Sequence, residues 1–175
     1  PDVARKLIYV FDKASGALLR ATDMDGFSAA APMTYLYRGR QYVVTATGGK
    51  ARIGILEGIP GHETGDSRLR GFRDAVSRSP AISIVASQPA NWERDQGFNV
   101  FQNMLQAHPD IDTVFAASDL MALGAIEAIA AGGKTGKIRV IGFDALDDAK
   151  KAIAAGTMEA SVAQFPYDMG KAAVE

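Results

Sequence analysis

Five residues far apart along the chain carry the chemistry that stands out: Arg68, Trp92, Ser118, Asp144 and Gln164. An arginine and an aspartate make charge-assisted, planar, paired hydrogen bonds. A glutamine amide both donates and accepts, and an indole offers a flat apolar face. With a serine hydroxyl beside them, these groups match a polyhydroxylated ring, which has hydroxyls at its rim and C–H groups on its faces. They do not suit acyl transfer, because no base is at hand to activate Ser118. Each residue also has a plainer use. Asp119, or Ser118 beside it, fits the N-cap of a helix starting at Leu120. Arg68 at a helix start fits a solvated charge, Trp92 fits ordinary packing, Asp144 fits a cap for the helix near 147, and Gln164, before Phe165-Pro166, fits a partner for loop backbone. Their place relative to the predicted strands is what sets them apart.

From Ala51 onward, short apolar runs alternate with segments of helical period. RIGILEG (52–58), AISIVAS (81–87), TVFAAS (113–118), RVIGFD (139–144) and ASVAQF (160–165) read as strands. Between them, Leu69, Phe72 and Val76 fall at helical spacing, as do Phe98, Phe101, Met104 and Leu105, stopped by Pro109. LMALGAIEAIAAGG (120–133) is a nearly all-apolar helix closed by two glycines, residues 147–155 form a short helix stopped by Gly156, and a last helix begins near Tyr167. Such alternation predicts an α/β fold, a parallel doubly wound sheet with helices on both faces. The lack of strict apolar alternation fits strands buried on both sides. Ligands of open parallel sheets bind beyond the carboxyl ends of the strands. The loop 58–67 leading into Arg68, then Gln88–Trp92, Ser118-Asp119, Asp144 and Gln164 all fall there, so the five residues are expected to share one rim.

Residues 1–50 read differently. LIYVFDK (7–13) with ALLRAT (17–22), and PMTYLY (32–37) with QYVVTAT (41–47), are β-hairpin candidates, Gly39 being able to take positive φ in the second turn. The domain boundary is expected at Gly48-Gly49-Lys50, giving a β-hairpin segment over 1–50 and an α/β unit over 51–175.

Composition narrows the function classes. Of 175 residues, 47% are hydrophobic and 22% charged, which suits a core-forming chain rather than a disordered one. A formal net charge of -1 provides no global attraction for nucleic acid. With no cysteine and only His62 and His108, thiolate and histidine-rich metal centres are excluded. GGKTGK (132–137) is not a phosphate loop, since Ala128 stands where the leading glycine belongs and the segment follows a helix. His62, Glu63 and Asp66 share a loop but are not expected to hold a metal, and Asp147-Asp148 with Lys150-Lys151 fit an exposed helix face matched to its dipole. The chain opens PDVARKLI, without a signal peptide's apolar region.

Residues 51–175 closely resemble the C-terminal lobe of type I periplasmic sugar-binding proteins, the ribose-binding group in particular. The resemblance is carried by ILEGIPG…SRLRGF, by ASQPANWERDQGFNVFQNMLQAHPDIDTVFAASDLMALGAIEAI and by IRVIGFDALDDAKKAIAAGTMEASVAQFPYDMG. It implies a monosaccharide ligand, ribose-like, with no catalysis and no cofactor. It also implies a second lobe that closes over the sugar, membrane subunits of an ABC importer as partners, no nucleic-acid partner, and a periplasmic location. By position, Arg68 looks like the arginine that pairs with sugar hydroxyls, Trp92 like the stacking aromatic, Asp144 in GFD like the hydroxyl-accepting carboxylate and Gln164 like the amide ligand. Ser118 stands where ribose binders carry asparagine, so the resemblance does not fix the sugar. The effector-binding lobe of LacI-type transcription repressors shares the SDLMALGAIEAI style of helix and is the alternative; a basic helix-turn-helix ahead of the lobes would mark it.

Residues 6–49 resemble instead the closing part of the β-propeller in quinoprotein (PQQ-dependent) dehydrogenases: VFDKASG resembles the repeat core and APMTYLYRGRQYVVTATGG the final blade. Arg20 occupies the place of the repeat's usual tryptophan, and no quinone-binding or calcium-ligand set is visible. Together the two resemblances imply a fusion that carries one lobe of a two-lobed clamp. Sugar binding is then expected to be weak or undetectable, and micromolar ribose affinity by calorimetry would contradict that expectation. A further alternative is a non-functional quinoprotein dehydrogenase fusion fragment, for which dye-linked sugar oxidation after adding PQQ and calcium is the discriminating assay.

Overall fold

A computed structural model describes residues 7–11, 18–23, 33–37, 40–44, 50–77 and 79–164. The expected turn at Gly39, the boundary at Gly48-Gly49, and the helix from Tyr167 lie outside the described residues.

Both predicted hairpins form. Strand β1 (Leu7–Phe11) pairs antiparallel with β2 (Leu18–Asp23), with an irregularity between Val10 and Phe11. Strand β3 (Met33–Tyr37) pairs antiparallel with β4 (Arg40–Val44), from Met33 opposite Val44 to Tyr37 opposite Arg40. Each pair is a two-stranded sheet of its own.

The α/β unit follows the predicted alternation: β5 (Ala51–Glu57), α1 (Glu63–Val76), β6 (Ile82–Pro89), α2 (Arg94–Ala107), β7 (Thr113–Ala116), α3 (Asp119–Ala131), β8 (Arg139–Asp144), α4 (Asp147–Ala154) and β9 (Ala160–Ala163). The five strands form one sheet in the order β6-β5-β7-β8-β9, and every neighbouring pair is parallel. The order turns around between β5 and β7, so their outgoing loops diverge and leave a crevice at the carboxyl edge.

Burial on both faces explains the strand composition. On one face Ile53, Ile55, Phe115 and Ile141 pack against Phe72 and Val76 of α1, with Phe72 and Phe115 stacked at 4.2 Å between centroids. On the other face Leu56, Val114, Ala116 and Val140 meet Phe101, Met104 and Leu105 of α2 and Met121 and Ala125 of α3. Strand β6 runs on to Pro89, beyond the predicted Ser87. It lies at the edge of the sheet, where a residue without an N–H is tolerated, and the ladder continues through Ala90 N–H to Glu57 O at 2.9 Å.

Helices α2 and α3 meet backbone to backbone. A Cβ on Gly97 would stand 2.6 Å from the Met121 carbonyl oxygen, and one on Gly124 would overlap the Arg94 carbonyl oxygen and stand 2.7 Å from Phe98 N. Arg94 pins the pair from outside, its Nε and Nη2 reaching Glu127 Oε1 at 2.8 and 2.5 Å. Helix α3 ends as its two glycines foretold. Gly133 takes φ +64°, and Lys134 N–H and Gly133 N–H bond back to Ile129 O and Ala130 O, closing a Schellman motif. The charged face of α4 is exposed as expected, with Lys150–Asp147 at 3.0 Å and Lys151–Asp148 at 2.8 Å.

Candidate functional site

A cleft of about 440 Å³ opens at the carboxyl edge of the sheet, lined by His62, Thr64, Arg68, Trp92, Ser118, Leu120, Asp144 and Leu146. Four of the five residues singled out in the sequence line it, and the fifth, Gln164, touches it through Asp144.

Arg68 is at the centre. It projects from the second turn of α1 and is 9% exposed, so it is not the solvated charge that its helix-start position also allowed. Its Nη1 donates to Ala117 O at 2.6 Å and its Nη2 to Asp144 Oδ1 at 3.1 Å. The guanidinium lies over the Phe143 ring, 4.0 Å from its centroid, and 5.6 Å from the centroid of the Trp92 ring. Burial pushes the Arg68 pKa down, opposed by the charge and hydrogen bond of Asp144; a guanidinium still keeps its proton.

Asp144 caps no helix. It ends β8 with φ +113°, followed by Ala145 at +56°, and the N-cap of α4 is Leu146. Its Oδ1 also accepts a hydrogen bond from Gln164 Nε2, so the Gln164 amide serves a side chain rather than loop backbone. Trp92 likewise sits in the left-handed region, at φ +70° after Asn91 at +53°. For a bulky residue such a conformation is a genuine outlier that its surroundings must hold in place, and such outliers cluster at functional sites. The indole rests on two glycines: a Cβ on Gly58 would overlap its six-membered ring, and one on Gly65 would come within 2.9 Å. Trp92 is the single tryptophan. Gly58→Ala is therefore expected to push the indole toward water and red-shift its emission, at a cost of about 1–2 kcal/mol; unchanged emission would contradict the seat.

The two cap candidates separate. Ser118 is the N-cap of α3 by its backbone, φ -149° and ψ 159°, but its side chain makes no cap bond. Its Oγ is buried without a hydrogen-bond partner among the described residues. Such an orphan is costly unless something else supplies the bond. Asp119 is the first helical residue and fully buried. Its Oδ2 accepts from Leu146 N at 2.8 Å and its Oδ1 from Ser161 Oγ at 2.7 Å. The reading of Asp119 as N-cap is thus corrected: its carboxylate binds the β8–α4 loop and β9, contacts 27 and 42 residues away in sequence. In the sequence His62 is weighed only as a metal ligand, and Thr64, Leu120 and Leu146 are not named as site residues; His62 and Leu146 enter the cleft as the N-caps of α1 and α4, and Thr64 and Leu120 from the first turns of α1 and α3. Among the described residues no three histidines or carboxylates gather to hold a metal.

Burial raises the Asp119 pKa, outweighing the hydrogen bonds from Ser161 and the Leu146 and Phe143 backbone, and nearby Asp144 adds to the rise. The folded chain then holds this proton more tightly than the unfolded chain. The Asp119 contribution to stability is greatest below the ordinary aspartate pKa of about 4 and is lost as pH rises through the raised folded value. The melting temperature of wild type relative to Asp119→Asn is expected to rise as pH falls from neutral; a gap independent of pH would contradict this.

The sheet is open and parallel, and its switch point gives onto a cleft with hydrogen-bonding groups and an aromatic wall, the place where such sheets bind ligands. Comparison with known proteins agrees. The sequence model of the periplasmic binding protein domain matches residues 13–175, and the chain belongs to that family. It is 39% identical over 134 residues to the D-allose-binding periplasmic protein of Escherichia coli (strain K12), covering 76% of this chain and 43% of that protein. It is 41% identical to the ribose import binding protein of Salmonella typhimurium, covering 77% and 45%. Among solved structures, a periplasmic solute-binding protein of an ABC transporter from Actinobacillus succinogenes with bound D-allose matches with a TM-score of 0.71 at 42% identity, over 74% of this chain and 46% of that one. The Caulobacter myo-inositol binding protein bound to myo-inositol matches with a TM-score of 0.66 at 39% identity, over 68% and 42%. The chain thus spans less than half the length of these relatives, and the α/β unit corresponds to one lobe of a type I periplasmic binding protein fold. These relatives are substrate-binding proteins rather than enzymes. The family match begins at residue 13, inside the segment 6–49 for which a propeller blade is expected.

Proposed function

We propose that the cleft is one half of a binding site for a neutral monosaccharide, and that the chain serves as a substrate-binding component of an ABC sugar importer in the periplasm, without catalysis. The observation that carries this is the Asp144 carboxylate. Its Oδ1 takes Arg68 and Gln164, and among the described residues neither bond uses Oδ2, which is left to accept a ligand hydroxyl. Ser118, whose buried Oγ has no hydrogen-bond partner among the described residues, also lines the cleft, and the indole supplies a face for ring C–H groups. Arg68 and Asp144 neutralise each other, which favours a neutral ligand over a sugar acid or an amino sugar. The relatives named for D-allose, ribose and myo-inositol support the same ligand class.

Residues 1–50 are proposed as a separate unit from 51–175. The reading of 6–49 as a propeller-like blade is supported by its two antiparallel hairpins; the family match from residue 13 is the competing assignment. A two-lobed site binding at about 1 μM gains about −8 kcal/mol, so half the contacts leave about −4, near 1 mM. Titrating Trp92 fluorescence with D-ribose, D-allose and myo-inositol is expected to give saturable changes in that range. A flat response to all three from the folded protein would overturn the proposal.

A further inference from the structure

We infer that Asp119 and Ser161 form a clamp that holds the left-handed turn at Asp144-Ala145 and so sets the direction in which Asp144 is presented. They are positioning residues, acting on the site only through that turn. The purpose of the clamp rests on the ligand role given to Asp144; its existence does not.

Two consecutive residues with side chains, Asp144 and Ala145, hold positive φ at the end of β8. L-residues leave that region unless something over-determines the backbone. Here the following amides are tied down in order. Ala145 N–H donates to Ser161 Oγ at 2.9 Å, Ser161 O–H donates to Asp119 Oδ1 at 2.7 Å, and Leu146 N–H donates to Asp119 Oδ2 at 2.8 Å. The direction of each bond is fixed. Only a group that accepts and donates at once can join an amide to a carboxylate, and only a side chain with two acceptors can close both ends. Three elements contribute: α3 brings Asp119, β8 the turn and β9 Ser161, which pairs with Gly142 in the ladder. Gly142 makes the room, because a Cβ there would overlap Asp119 Oδ1. Asp119 is fully buried, so water does not compete for either oxygen.

The test uses no sugar, so its failure and the failure of the ligand reading are distinct. Amide hydrogen exchange is followed by NMR in wild type, Ser161→Ala and Ser161→Thr. Ser161→Ala is expected to speed exchange at Ala145 about tenfold, the loss of one hydrogen bond, while the β8 ladder amides of Val140 and Ile141 keep their rates. Ser161→Thr, which keeps the hydroxyl, restores the slow rate. Ala145→Gly is then combined with Ser161→Ala. Glycine holds φ +56° without a clamp, so the double variant recovers the part of the melting temperature that the strained backbone lost in Ser161→Ala, or folds where the single variant does not. Unchanged exchange at Ala145 in a folded Ser161→Ala chain overturns the proposal, as does a double variant no more stable than the single one.

Discussion

Replacing Arg68 with methionine is expected to lower stability by about 3 kcal/mol and to abolish the sugar response of Trp92. Methionine retains the length of the apolar stem but not the guanidinium that lies over Phe143. What is lost is the fork. Ala117 O, in a fully buried residue, loses its donor at 2.6 Å, and Asp144 keeps only Gln164. Breaking a buried pair from one side costs about 3–5 kcal/mol. The Asp144 side chain is 24% exposed, which lets water repay part of that, so the lower end applies. For a chain of this size the melting temperature should fall by about 10 °C. Arg68→Lys should fall between, since an ammonium keeps the charge but cannot serve Ala117 and Asp144 together in the plane over Phe143. A methionine variant that melts within about 2 °C of wild type would show that the pair does not hold the cleft together.

Gly124→Ala is expected to cost about 2 kcal/mol, against the usual direction of such a change. Alanine in a helix interior is favoured over glycine by about 1 kcal/mol. At Gly124 the new methyl would overlap the Arg94 carbonyl oxygen of the neighbouring helix, a backbone atom that cannot rotate aside. Helices α2 and α3 must then separate, at a cost of about 3 kcal/mol, which outweighs the propensity gain. Denaturant unfolding reads the sum, and a neutral or stabilising substitution would mean that the two helices are not pressed backbone to backbone.

The sheet was legible because its strands are buried on both faces, and continuous apolar runs such as RIGILEG and TVFAAS leave few other structures open to them. The rim was legible for the same reason: once the strands are placed, the position of Arg68, Trp92, Ser118, Asp144 and Gln164 follows from the chain direction. What remained hidden depends on contacts between distant segments. Asp119 in SDL has the local look of a helix cap, and only the fold brings Leu146 and Ser161 to its oxygens. The positive φ at Trp92 and Asp144 gave no signal, since tryptophan disfavours it and aspartate, though more tolerant, adopts it too seldom to mark a position, and the surrounding hydrogen bonds and glycine seats are needed to see why it is held. The roles of Gly58 and Gly97 were equally invisible, because close approach is a property of the partner and not of the glycine.

A residue-by-residue map of where a sugar touches tests the proposed site without intermediaries. Nitrogen-15 chemical shifts of the folded chain, followed during titration with D-allose to tens of millimolar, would provide it. Saturable changes are expected at the Trp92 indole N–H, the Gln164 amide, the Arg68 guanidinium and the backbone around Ser118 and Leu146, with the far end of the sheet unmoved. Saturation with these signals unchanged, or with shifts gathered elsewhere on the chain, would contradict that site.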